Sequence, residues 1–133
     1  MNYKKIFTGL ILFFLAVFVG WQVPRNSSKQ EVISPKPRST FILNTGRSVA
    51  TYDGVLATTA YDALVEVSSR TAIPVEKKQY DFGVFVEKIG DLANTKEKAW
   101  IYYVNGVSGD VAADKKSIKN GDVVEWRYEK PLY

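Results

Sequence analysis

The run KAWIYYVNG, residues 98–106, holds five large apolar or aromatic side chains in succession, Trp100, Ile101, Tyr102, Tyr103 and Val104, and ends in an Asn-Gly pair. Asn-Gly is a strong short-range signal for a tight hairpin turn, so the run before it is predicted to be a strand. Strand side chains alternate between two faces. Trp100, Tyr102 and Val104 therefore share one face, while Ala99, Ile101 and Tyr103 share the other. With both faces apolar, the strand is either buried on both sides or keeps one face for a ligand.

Working outward, residues 39–44 alternate with Phe41 and Leu43 on one side, Thr45-Gly46 reads as a turn, and residues 48–52 can return as a second strand. A helix is predicted over about residues 59–70. Thr58 or Thr59 supplies its N-cap hydroxyl, Asp62 sits in its first turn, and Ala60, Ala63, Leu64 and Val67 form one apolar stripe. Pro74 stops it. Residues 75–80 and 82–89 then read as two short strands or one bent pair, with Gly83 and Gly90 marking a bulge and a turn. Residues 108–116 read as a loop with room for one short strand. In the last strand Val124, Trp126 and Tyr128 face one way, and Glu125, Arg127 and Glu129 the other.

The order β-β-α-β-β-β-β in about 95 residues is that of an α+β, β-grasp-like (ubiquitin-like) domain, a mixed sheet packed on one helix. One helix covers one sheet face. The other face is expected to keep aromatics for another use, and which set of the 98–106 strand it carries stays open. Tyrosine, with its polar tip, is the expected surface member and Trp126 the expected core member.

The bulk numbers narrow the function. The chain of 133 residues is 46% hydrophobic and 14% aromatic, enough for one modest core. The net charge is +4, but residues 1–38 hold Lys4, Lys5, Arg25, Lys29, Lys36 and Arg38 against Glu31 alone, which is +5 and leaves −1 for the rest. The globular part carries no basic stripe for phosphates, and no nucleic-acid role is expected. Cys and His are both absent, which excludes thiolate chemistry, the usual zinc sites and most neutral-pH triads. Asp110, Asp114 and Asp122 lack calcium-loop spacing and read as solvated loop residues. A non-enzymatic protein is expected.

Residues 1–23 open with Lys4 and Lys5 and run apolar from Ile6 to Val19, interrupted only by Thr8 and Gly9, with Trp21 behind. This is a signal anchor or a signal peptide. Cutting after Gly20 or Ala16 places Phe18 or Phe14 at the −3 position, which favours an uncleaved anchor. The membrane partner is thus residues 6–23, with the domain on the extracytoplasmic side of the cell membrane; the alternative is secretion after cleavage. Residues 24–38, rich in Pro, Ser and basic residues, form a polar linker, and residues 39–133 the domain.

Four runs, TAYDAL (59–64), FGVFVEKIGDL (82–92), AWIYYVNG (99–106) and IKNGDVVEWRYE (118–129), resemble the transcobalamin-like C-terminal domain, a bacterial domain of unknown function similar to the β-domain of the cobalamin carriers transcobalamin and intrinsic factor. The resemblance implies a β-grasp-like fold and cobalamin as a ligand. It also implies that residues 85–89, with Phe85, Val86 and Ile89, and the strand bearing Trp100, Tyr102 and Tyr103 approach a corrin. In the carriers an α-helical barrel holds the other side of the ligand; these residues supply one half-site and no His for cobalt. The expected function is a membrane-anchored binding module for cobalamin or a related ligand through an aromatic sheet face. The alternative is a structural or protein-interaction domain of the cell envelope, with a protein as partner.

Overall fold

The computed structural model describes residues 33–132. The expected anchor and most of the linker lie outside the described residues, and within them no helix is long and apolar enough to cross a membrane. The domain is α+β: one helix and two sheets.

Strands β1 (Arg38–Asn44) and β2 (Val49–Leu56) form the expected antiparallel hairpin. Its turn is built by side chains: Asn44 Oδ1 accepts from the Gly46 N–H, and Thr45 Oγ1 accepts from the Ser48 N–H. Helix α1 (Ala60–Thr71) starts one residue after its predicted edge because Thr59 is the N-cap, extended at φ −133°, its hydroxyl accepting from the Asp62 N–H at 3.0 Å. It ends at Ala72, which takes the left-handed conformation at φ 57°. Ala60, Ala63, Leu64 and Val67 are its buried stripe, as the spacing predicts.

Strands β3 (Val75–Tyr80) and β4 (Gly83–Ile89) pair antiparallel, and the two-residue β5 (Leu92–Ala93) adds to β4. The bulge sits at Glu76/Lys77 against Glu87, not at Gly83. It advances β4 by one residue, which brings Ile89 onto the buried side already holding Val84 and Val86. Strand β6 (Ala99–Val104) turns through Asn105-Gly106, both at positive φ, into β7 (Val107–Ser108). Strand β8 (Val123–Glu129) follows.

The larger sheet has the order β2-β1-β8-β6-β7, with β1 and β8 parallel and the remaining pairs antiparallel. Phe41, Leu43, Val124, Trp126, Trp100, Tyr102 and Val104 join the helix stripe in the core. The Trp126 indole N–H donates to the Ala60 carbonyl at 3.3 Å, which ties the middle of the sheet to the first turn of the helix.

Strands β3, β4 and β5 form a separate three-stranded sheet. The sequence leads to one curled sheet; what divides it is that β4 and β6 lie side by side without a ladder. The Asn94 amide stands in for one, donating to the Val86 carbonyl and accepting from the Trp100 N–H, each at 2.9 Å. One side chain thus bonds two strands as a peptide group would.

Asn94→Ala is expected to cost about 1–3 kcal/mol, since it strips the partners from two part-buried backbone groups; urea unfolding followed by Trp fluorescence measures this, and a loss under about 0.5 kcal/mol would remove the amide from its joining role. Trp126→Ala should cost about 3–5 kcal/mol in thermal or urea melts as a core truncation. A pH prediction comes from Asp122, whose carboxyl accepts from Asn105 Nδ2 at 2.9 Å and from the Lys119 N–H at 2.8 Å. The Asn105 bond first, then the Lys119 bond, hold its pKa below the ordinary range. That stability is fully present above the unfolded aspartate value of about 3.9 and is lost as pH falls through the depressed folded value. Asp122→Asn should flatten the loss of melting temperature between about pH 5 and about pH 3.

Candidate functional site

The two faces of β6 have different surroundings. Trp100, Tyr102 and Val104 pair across the ladder with Tyr128, Trp126 and Val124 and point to the helix side. Their rings are tilted against one another, Trp100 on Tyr128 at 5.2 Å and Tyr102 on Trp126 at 5.6 Å. The Trp100 indole N–H donates to the Leu92 carbonyl at 2.8 Å, and the Tyr102 hydroxyl donates to the Val111 carbonyl. Burial comes first among the causes that push the Tyr102 phenol upward.

The face away from the helix carries Ile42, Asn44, Ile101, Tyr103 and the charged side of β8. It is not an aromatic platform. The Arg127 guanidinium lies 3.9 Å from the centre of the Tyr103 ring and pairs with Glu125 at 2.7 Å, Asn44 donates to Glu125 at 3.2 Å, and the Tyr103 hydroxyl donates to Glu129. Tyr103 is only 7% exposed beneath this cover, which corrects the expectation of a free aromatic sheet face. The Arg127 hydrogen bond holds Glu125 below the usual carboxylate range, and the bond to Glu129 raises the Tyr103 phenol.

The concave surface lies instead at the divide between the sheets. A cleft of about 760 Å³ runs between β4, β6 and residues 108–113. Phe85, Val86, Trp100, Tyr102 and Tyr103 all line it, so five of the six residues singled out from the resemblance come together there. Ile89 does not. The bulge turns it into the core, 2% exposed and paired with Val75 and Leu92.

Segment 109–116 forms the cleft wall and is tied on three sides. The Gly109 N–H donates to the Tyr102 carbonyl at 3.0 Å, and a Cβ on Gly109 would lie 1.9 Å from the Tyr102 ring, so only glycine passes there. Carbonyls of Ala113 and Lys116 accept from the N–H groups of Tyr61 and Ala60 in the first turn of α1. The Asp114 carboxylate accepts from the Val84 N–H of β4 at 2.9 Å, the leading cause of its lowered pKa.

Further lining residues lie outside the six singled out from the resemblance. Phe82, 62% exposed, stacks on Tyr80 at 5.1 Å, and Tyr80 meets Phe85 edge-on at 6.3 Å. These three form an exposed aromatic cluster at the rim. A large aromatic inside a tight turn was the available signal. Val111 and Leu132 also line the cleft, in stretches with no periodic pattern to mark them. Among the described residues no three of His, Cys, Asp and Glu gather closely enough to hold a metal ion. The cleft offers apolar and aromatic contact, backbone hydrogen-bonding groups and the charges of Asp110 and Lys115 at its edge.

The same architecture recurs in solved structures. A protein from Ruminococcus gnavus, described as a candidate metal-binding protein, superposes with a TM-score of 0.54 at 19% identity over 73% of this chain and 100% of its own. Haptocorrin of the transcobalamin family, crystallised with cobinamide, gives a TM-score of 0.62 at 16% identity over 72% of this chain. This chain spans 25% of haptocorrin's length. At these identities the likeness is one of fold, and it bears out the resemblance drawn from the four sequence runs. No curated protein matches. A family profile described as a domain of unknown function, DUF4430, matches residues 57–130, which take in α1 and the β4, β6 and 108–113 walls of the cleft. The chain belongs to the DUF4430 family.

Proposed function

We propose that this chain is a non-enzymatic binding module of β-grasp type, carried on the extracytoplasmic side of a membrane by residues 6–23, whose cleft seats the edge of a corrinoid-like ligand. The observation that carries this reading is the pairing of a cleft of about 760 Å³ with aromatic rings that remain exposed at its rim, Phe82 at 62% and Phe85 at 42%. Exposed aromatics beside a concave apolar surface are a common signature of recognition. Supporting it is the fold shared with haptocorrin, a protein crystallised with cobinamide. The apolar run at residues 6–19 behind Lys4 and Lys5 supports the membrane placement.

The cleft is half a site in shape, open on its outer side, so a ligand as large as a corrinoid would be held by one edge. Binding by the isolated chain is accordingly weak, and a second protein surface would complete the enclosure. A second reading, protein recognition by strand addition, is favoured by the outer edge of β3, which has no ladder partner among the described residues and five exposed residues of six.

Isothermal titration of the full-length chain with cobinamide, and separately with cyanocobalamin, tests the first reading. Saturable heat at micromolar ligand is expected, with affinity lowered at least about tenfold, a loss of about 1.4 kcal/mol, in Phe82→Ala and Phe85→Ala. The melting temperatures of those variants should stay close to that of the parent, because both rings are substantially exposed. No heat at high micromolar ligand would overturn the corrinoid reading and leave strand addition standing.

A further inference from the structure

We propose that the three-stranded sheet is a jaw, hinged at its β5 end and clasped at its turn end by Asp114, whose release widens the cleft for ligand. The inference rests on the binding role assigned to the cleft and concerns how that cleft is reached.

The attachments of this sheet are unevenly distributed. At one end Val75, Ile89 and Leu92 lie side by side, and the chain both arrives from α1 and departs toward β6 there. The side-chain bonds to the larger sheet lie at the same end or at mid-strand: the Trp100 indole on the Leu92 carbonyl and the Tyr128 hydroxyl on the Ala93 carbonyl at 2.7 Å beside β5, and the Asn94 amide between Trp100 and Val86, the middle residue of β4. Ile89 anchors that end in the core.

At the other end Tyr80 faces Gly83 across the turn. Among the described residues one side-chain hydrogen bond reaches this end from the rest of the domain, Asp114 on the Val84 N–H. Gly83 is shaped to it. Its φ of +134° is a glycine conformation, and a Cβ there would lie 2.5 Å from both Ala112 Cβ and Asp114 Oδ1. The clasp therefore closes only because the turn has no side chain at that point.

A body held by several bonds and two chain connections at one end, and at the other by one side-chain hydrogen bond and the burial of Gly83 and Val84, moves most at the less tethered end. That end borders the cleft and carries Phe82. Tyr102, whose hydroxyl donates to the Val111 carbonyl of the opposite wall, lines the cleft and is only 8% exposed with the clasp shut. Opening at Asp114 widens the cleft beside Tyr102, while Asn94 and the Trp100 indole keep the hinge joined. The route in thus passes the exposed Phe82–Tyr80 stack, which makes first contact with a planar ligand.

The chain has no cysteine, so a pair of introduced thiols can be spin-labelled without background. In the full-length chain, Phe82→Cys with Val111→Cys reports across the cleft mouth, and Ala93→Cys with Lys98→Cys reports across the hinge. Asp114→Ala should lengthen and broaden the distance distribution at the mouth and leave the hinge pair unchanged. Asp114→Asn, which keeps an acceptor for the Val84 N–H, should restore most of the parent distribution, and Gly83→Ala should reproduce the opening with Asp114 intact. An unchanged mouth in both Asp114→Ala and Gly83→Ala, or equal broadening at mouth and hinge, would overturn the jaw. No ligand enters this measurement, so its outcome is separate from whether corrinoids bind.

Discussion

The Asn94 amide is the interaction on which the shape of this domain turns. A continuous sheet would join β4 to β6 by a ladder of backbone bonds; here one carboxamide satisfies the Val86 carbonyl and the Trp100 N–H, and the strands part beyond it. The geometry of a side-chain amide matches that of a peptide group in donor and acceptor but not in repetition. It closes one rung and leaves the rest of the gap to segment 109–116, which bonds to β6, to β4 and to the start of α1. The cleft is the space left between these two fillers.

The larger sheet meets a different demand. With one helix, it has one covered face, and the core needs all the large rings of β6 and β8 that can be turned that way. Tyr103 is the exception. Its burial is achieved from within the sheet, by the guanidinium of Arg127 over its ring and by Glu125, Glu129 and Asn44 around both groups. Such a polar cover keeps the outer face hydrated at its surface while the ring itself stays dry. A guanidinium stacked and ion-paired in this way is poorly replaced by lysine, whose ammonium cannot lie flat on a ring and bridge a carboxylate together.

Much of the secondary structure was legible because its determinants are local. Thr59 and Pro74 bracket the helix, the Asn105-Gly106 turn fixes β6, and the alternation from Val124 through Tyr128 orients β8. The fate of the two faces of β6 was not legible. Trp100 and Tyr103 have the same local pattern around them, and what separates them is the register with β8, which sets Trp126 and Arg127 on opposite sides more than 20 residues away. The division into two sheets was hidden for the same reason, since Asn94 looks like an ordinary loop residue until both strands are in place. Five of the six residues marked by the resemblance converge on the cleft; Ile89 does not, because a bulge at Glu76/Lys77 is not encoded by a glycine or any other clear local mark.

The position of β8 has a consequence in time. The last strand of the chain sits between β1 and β6, parallel to the first strand of the domain and antiparallel to the aromatic one. It supplies Val124 and Trp126 to the middle of the core, and Trp126 is the residue bonded to the first turn of the helix. Neither neighbour can complete its pairing until residues 123–129 exist. A growing chain therefore holds β1 and β6 without their shared partner until residues 123–129 are made, and the larger sheet assembles in one cooperative event rather than strand by strand. Whatever handles the chain before that point handles it unfolded.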